Sequence, residues 1–359
     1  MTATQEKFDG ARAEAFAGRM VDILNGASLA FMAAIGHETE LFDRMGEMPP
    51  ATSEEIAARA GLNERYVREW LGAMVTGRIV DYDASTRNYK LPAEHASSLT
   101  RAAGTGNMST FAAFFPEFGK VSGKVAESFR VGGGVPYSEY DRFQELMRND
   151  SAQTFDATLI DRTLPMVPGL VEKLRAGIEV ADVGCGAGHA INLMAQAFPT
   201  SHFIGFDFSE DGITLARQEA QQMKLTNATF EVKDAAKLDV SNRFDLITVF
   251  DAIHDQAQPA MVLKAIHDAL KPGATFLCVD VAADSNLEGN LEHPLGPMLY
   301  TVSTMHCMTV SLAYGGVGLG TVWGEQKALE MLGEAGYKDV AVERVEGDIF
   351  NNYYIAKKA

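Results

Sequence analysis

The stretch VADVGCGAGH, residues 180–189, sets an aspartate two residues ahead of glycines at 184, 186 and 188. Alternating glycines after a hydrophobic run make a tight strand-to-helix turn whose bare backbone a ligand can approach. A dinucleotide loop of the form G-x-G-x-x-G would need a third glycine at 189, where His189 stands. The phosphate loop G-x-x-x-x-G-K-[ST] is absent altogether. Asp182 disfavours a phosphate and favours an ammonium, and the amides opening the next helix suit a carboxylate. The methionine end of S-adenosylmethionine carries both groups.

Two further acids stand where such a cofactor needs them. Asp207 closes the run HFIGFD, where a carboxylate can accept from both ribose hydroxyls. Asp234, in VKDAAKL, is placed to accept from the adenine amino group while the Ala235 amide meets a ring nitrogen. Phe208 and Phe250 are apolar candidates to sandwich the adenine, and Gly184, Cys185, Gly186 and Gly188 supply the loop itself. Methyl transfer asks the protein for alignment, plus a base when the acceptor is a hydroxyl. The base candidate is His254 in DAIHDQ, neutral at working pH if it keeps an ordinary value of about 6.5. The bland alternative for His254-Asp255 is a helix cap or a pocket wall.

The elements that must hold these residues alternate strand and helix from 179 onward. EVADVG (179–184), HFIGFD (202–207), ATFEVKD (228–234), FDLITVFD (244–251) and ATFLCVDVA (274–282) read as strands buried on both faces. Helical segments lie between them, so the order predicts an α/β fold, a doubly wound parallel sheet with right-handed crossovers. DVAVERVE (339–346) and NNYYIAKK (351–358) are separated only by a few residues that include Gly347-Asp348, and should pair antiparallel, giving a seven-stranded, mostly parallel sheet.

Before residue 100 the pattern changes. TSEEIAARAGL opens like a helix with a capping box, NERYVREWLGAMVTG follows it, and IVDYDASTRNYKL reads as a two-stranded wing. The domains expected are a helical, winged-helix dimerisation domain over 1–100, a helical connector covering the active site over 101–170, and a cofactor-binding domain over 171–359. Residues 283–322 of the last are apolar and methionine-rich, which suits a substrate lid. His293, Tyr300, Met305, His306 and Tyr314 are its candidate substrate contacts.

Composition limits the partners. The net charge of −17 argues against sequence-independent binding to nucleic acid or an anionic membrane. Over residues 52–90, six basic side chains are balanced by six acidic ones, a poor footprint for DNA. Tyr66, Val67, Trp70, Leu71 and Met74 of the second helix read as packing. The apolar stretch LNGASLAFMAAIG (24–36) is too short to span a bilayer and reads as a buried helix. Three cysteines without metal or disulfide spacing fit the cytoplasm, and no metal is expected.

Through the D-x-G-x-G-x-G loop, its ordered acids and the strand–helix–KPG–strand run FDLITVFDAIHDQAQPAMVLKAIHDALKPGATFLCVD, the chain resembles class I S-adenosylmethionine-dependent methyltransferases. With the winged helix included, almost all of it is similar to two-domain small-molecule O-methyltransferases, most closely to actinobacterial winged-helix methyltransferases. The resemblance implies S-adenosylmethionine as cofactor, a small and largely apolar acceptor methylated most readily at a hydroxyl oxygen, and a homodimer formed through the N-terminal domain. It also matches His254 to the histidine base of plant-type relatives. The tryptophan of that His-Asp-Trp segment is Gln256 here, and the glutamate that orients the histidine is missing from Gly315–Leu319. Alternatives are a thiol, nitrogen or carbon acceptor, a DNA-binding regulator that senses the cofactor, or a binding protein that has lost catalysis.

Overall fold

The structure, a computed structural model, describes residues 8–345 and 348–359. The chain divides into two compact units, 1–116 and 117–359.

In the first unit, helix α1 (Gly10–Glu38) is capped by Asp9, whose carboxylate accepts from the Ala11 and Arg12 amides. Helices α2 (Leu41–Gly46), α3 (Ser53–Ala60) and α4 (Glu64–Thr76) follow, then strands β1 (Asp81–Asp83) and β2 (Asn88–Lys90), paired antiparallel as the wing. The capping box forms as expected: the Thr52 amide donates to Glu55 and the Glu55 amide to the Thr52 hydroxyl. Phe42, Ile56, Val67, Trp70, Leu71 and Met74 make the core, and the Trp70 indole donates to the Met32 carbonyl at 2.8 Å. Tyr66 is a correction: it is 80% exposed and packs nothing.

α1 departs further from expectation. The stretch 24–36 is part of a 29-residue helix, long and apolar enough by length and composition to cross a membrane, and only Ala34 and Gly36 are buried. Leu29, Met32 and Ala33 pack on the core, but Phe16, Val21, Ile23 and Leu24 face outward. Apolar residues spread around the helix cannot all face one small core.

The second unit holds a seven-stranded sheet in the order β5-β4-β3-β6-β7-β9-β8. Its strands are β3 (Glu179–Val183), β4 (His202–Asp207), β5 (Ala228–Val232), β6 (Phe244–Phe250), β7 (Leu270–Val281), β8 (Lys338–Glu343) and β9 (Asn351–Lys357). β3 to β7 pair parallel, and β9 pairs antiparallel with both β7 and β8. Alternate side chains serve opposite layers. Ala181, Ile247 and Phe276 join the core on one face, while Val180, Leu246 and Leu277 join the other. Helices Pro259–Ala269 and Gly324–Ala335 pack on the first face, and His189–Ala197 and Glu210–Gln222 on the second. β7 begins at Leu270, so Lys271-Pro272-Gly273 lies within its first turn of strand instead of ahead of it. The expected hairpin is present, but Glu346 and Gly347 of its turn lie outside the described residues.

The strand order reverses between β3 and β6. Both neighbours of β3 run parallel to it, so their carboxyl ends open a crevice at that point, the usual ligand position in such sheets.

Candidate active site

The glycine turn leaves β3 at this crevice. Gly188, at φ 73°, caps the helix His189–Ala197, and a Cβ there would lie 2.5 Å from the Ala216 Cβ and 2.6 Å from the Phe230 ring. Gly186 differs: at φ 51° its open side meets only the Gln144 side chain, at 3.6 Å. One glycine therefore lets the helix seat, and the other keeps backbone bare. The Cys185 thiol lies towards Gly205 of β4, where an added Cβ would come within 2.7 Å of its sulfur, and burial holds it protonated.

Asp182 is buried beneath this turn and accepts from the Thr248 hydroxyl at 2.7 Å. Burial pushes its carboxyl up to about 7, the Asp207 charge adds to this, and the Thr248 bond opposes it. Asp207 accepts from the Gly186 amide with one oxygen and from the Ser209 amide with the other, both at 2.8 Å. With four lone pairs in all, the carboxylate keeps capacity for a further donor. Burial raises its value above the ordinary one, against the pull of those backbone bonds. Asp234 is more exposed: it caps the short turn Ala235–Lys237 through the Ala236 amide and pairs with Lys237. Ala235 itself is buried. Phe208 is 44% exposed beside Asp207, and Phe250 is half-buried with its ring 4.8 Å from Phe155.

His254 is buried, and its Nδ1 meets the Asp280 carboxylate at 2.7 Å. The Trp323 indole donates to that same oxygen at 3.2 Å. The stretch Gly315–Leu319 lends His254 no orienting carboxylate; just beyond it, the Gly320 amide donates to the His254 carbonyl. Asp280, at the end of β7, thus takes the orienting position. It was legible in principle as a third strand-end acid beside Asp182 and Asp207. Burial alone would lower the His254 value, but Asp280 and the neighbouring Cys307 outweigh it and hold the imidazole well above 6.5. The pairing therefore favours the protonated imidazole, in the opposite sense to burial and away from the ordinary value expected for it.

The segment after Gly132 and Gly133 closes one side. Tyr137 donates to Asp255 at 2.6 Å, Tyr140 to the Met305 carbonyl at 2.5 Å, and the Val135 amide to the Thr309 hydroxyl at 3.0 Å. Burial raises Asp255 to about 6, with His254 and the Tyr137 bond acting against the rise. His306 stacks on Phe143, and Tyr314 stands edge-on to Phe208 at 6.0 Å. Of the expected substrate contacts, Met305, His306 and Tyr314 join this aromatic group. His293 and Tyr300 do not: both His293 nitrogens bond backbone of their own loop, and Tyr300 reaches toward Asn290. Tyr137, Tyr140 and Phe143 carried no motif and emerge only from the fold, as does the Tyr137 bond to Asp255.

Residues 27–101 match the Rv2258c-like winged HTH domain family, and residues 174–336 match a methyltransferase domain family. The two matches thus set a winged helix-turn-helix domain ahead of a methyltransferase domain. A demethylmenaquinone methyltransferase of Listeria welshimeri is 29% identical over 112 residues, 31% of this chain and 48% of that protein. The chain thus spans about half the length of this curated relative. Among solved structures, human N-acetylserotonin methyltransferase in complex with S-adenosylmethionine superposes with a TM-score of 0.71 at 18% identity, covering 99% of this chain and 100% of the other. A putative O-methyltransferase of Nostoc punctiforme gives 0.71 at 16% identity, covering 95% and 98%. At such identities the likeness is one of fold, and it extends over both parts of the chain.

Proposed function

We propose that this protein transfers a methyl group from S-adenosylmethionine to a hydroxyl oxygen of a small, largely apolar molecule. The observation that carries the reading is the trio of glycine turn, buried Asp182 and backbone-fixed Asp207 at one crevice. Asp182, held near neutrality by burial, regains its charge when an ammonium docks against it. Asp207 would offer its remaining lone pairs to a vicinal diol, and Phe208 and Phe250 are the apolar side chains proposed to cover a purine whose edge Asp234 and Ala235 would meet. Bound there, the cofactor supplies a methyl group activated by its sulfonium. In its neutral form, which the Asp280 pairing delays to higher pH, His254 takes the acceptor's proton on its outer nitrogen while Asp280 fixes the ring. Residues 117–170 of the connector and the segment 283–322 would then cover the site and exclude water.

Asp207→Ala is the test. It removes a charged acceptor for two hydroxyls, each such bond worth about 1.5–3 kcal/mol, so S-adenosylhomocysteine affinity should fall at least tenfold. The Gly186 and Ser209 amides lose their acceptor too, so the unfolding midpoint should also fall, and affinity is compared where the variant is still folded. Calorimetry showing tighter binding of NAD or ATP than of S-adenosylhomocysteine would sink the reading.

The same proposal makes the chain a cytoplasmic homodimer that binds neither DNA nor membrane. Its three described cysteines are unpaired. Arg65 and Arg68 of α4 pair with Glu69 and Glu64 of their own helix, leaving little charge for phosphates. The outward apolar residues of α1 supply a surface for a second copy. Leu24→Glu should convert a dimer to a monomer in sedimentation while leaving S-adenosylhomocysteine affinity unchanged. A wild-type monomer at micromolar concentration would refute the dimer.

A further inference from the structure

We propose that His306 reads the acceptor, hydrogen-bonding an uncharged hydroxyl or carbonyl oxygen and so selecting acceptors that carry one over acceptors that carry a carboxylate there. The inference rests on the methyltransferase reading and extends it to the class of molecule taken.

His306 sits on a π-helical turn, Ser303–Cys307, set between the helices Gly296–Val302 and Met308–Ala313. Such single wide turns inside helices recur at functional sites, because the inserted residue turns a side chain out of the regular register. Here the imidazole lies flat on the Phe143 ring, with centroids 3.5 Å apart and planes 10° from parallel. Tyr137 and Tyr140 present themselves edge-on at 5.1 and 4.9 Å. The residue is 2% exposed, yet neither ring nitrogen has a hydrogen-bond partner. An aromatic box of this kind would be satisfied by a phenylalanine. A histidine instead leaves two buried polar atoms unpaired, which is unfavourable unless something else pairs them.

The chemistry of the missing partner follows from charge. Burial, and after it the nearby His254 charge, lower the His306 value to about 3, so the ring is neutral at any working pH. A neutral imidazole offers one donor and one acceptor. A hydroxyl satisfies either nitrogen and a carbonyl satisfies the N–H. A carboxylate would gain no opposite charge from His306, and an acid tied to this group, Asp255, stands beyond the Tyr137 ring, where the Tyr137 hydroxyl holds it. Asp280 already neutralises His254, the nearest cation of this group.

The test separates a reader from a packing residue. His306→Phe keeps the stack on Phe143 and deletes both nitrogens; His306→Asn keeps polarity and deletes the ring. Wild type and variants are compared by thermal unfolding, by calorimetry with S-adenosylhomocysteine, and by transfer from labelled S-adenosylmethionine to matched aromatic alcohols with and without a carboxylate. The expected result for His306→Phe is an unchanged or higher unfolding midpoint, unchanged cofactor affinity, and turnover of the uncharged alcohols about ten- to a hundredfold lower. His306→Asn should recover part of that turnover at a lower midpoint. A lower midpoint for His306→Phe with cofactor binding intact would make His306 a structural residue and overturn the proposal. Equal turnover by His306→Phe, or wild-type preference for the carboxylated alcohols, would overturn it as well. Failure of wild type to bind S-adenosylhomocysteine would instead strike the methyltransferase reading on which it rests.

Discussion

His254→Ala is expected to lower turnover on a hydroxyl acceptor by about 10²–10⁴-fold while leaving S-adenosylhomocysteine affinity nearly unchanged. His254→Gln should be as slow, since an amide cannot accept the proton. The Asp280 partnership adds a sharper expectation in pH. The pair raises the His254 value well above the ordinary one, so the neutral base appears only as pH climbs, and wild-type turnover should rise along a limb on the alkaline side of 6.5. Asp280→Asn removes the carboxylate at 2.7 Å and leaves burial opposed only by Cys307. That limb should then move to lower pH, and the plateau should fall because a weaker base is doing the work. The stability linkage has the same sign. A group whose folded value is raised contributes stability that is complete below its unfolded value near 6.5 and fades as pH passes its folded value. Wild type should lose that contribution at alkaline pH, and Asp280→Asn should not show the loss. A limb unmoved by Asp280→Asn would remove the pair from the mechanism.

A contrast between two glycines is the second large effect. Gly188→Ala places a methyl 2.5 Å from Ala216 and 2.6 Å from Phe230, at a φ of 73° that L-residues avoid. Overpacking typically costs 1–3 kcal/mol, and the left-handed backbone adds about 1, so unfolding in denaturant should come earlier by roughly 2–4 kcal/mol. Gly186→Ala carries a similar backbone penalty, but its methyl meets only the Gln144 tip at 3.6 Å. It should be the more stable of the two, with the greater share of its defect in cofactor affinity, read by calorimetry. If both variants lose only stability, the turn is a packing device and holds no ligand.

Much of the site was legible before any coordinates. Asp182 and Asp207 end strands that are hydrophobic on both faces, so the strand pattern and the acid positions announce each other. The loop after β3 follows from glycine spacing alone. What could not be read was pairing across long separations. The partner of His254 was sought in Gly315–Leu319, where relatives carry it, whereas Asp280 supplies it from the neighbouring strand through the β6–β7 register. Lid residues chosen for their chemistry could not be sorted by direction: His306 turns into an aromatic box, while His293 spends both nitrogens on its own loop. α1 was misjudged because an apolar stretch says only that something should cover it, and this chain's own core covers only part.

The placement of β9 bears on how the protein is made. Strand β8 touches the sheet only through β9, which lies between it and β7 although it comes later in the chain. While a ribosome is still adding residues 351–357, β7 presents an unpaired edge from Thr275 to Val281, and β8 has nowhere to dock. An open edge on a hydrophobic strand invites pairing with a neighbouring nascent chain. Closure of this half of the sheet is therefore deferred until the last strand emerges. Crowded translation on one message is the moment at which this fold is most exposed to misassembly.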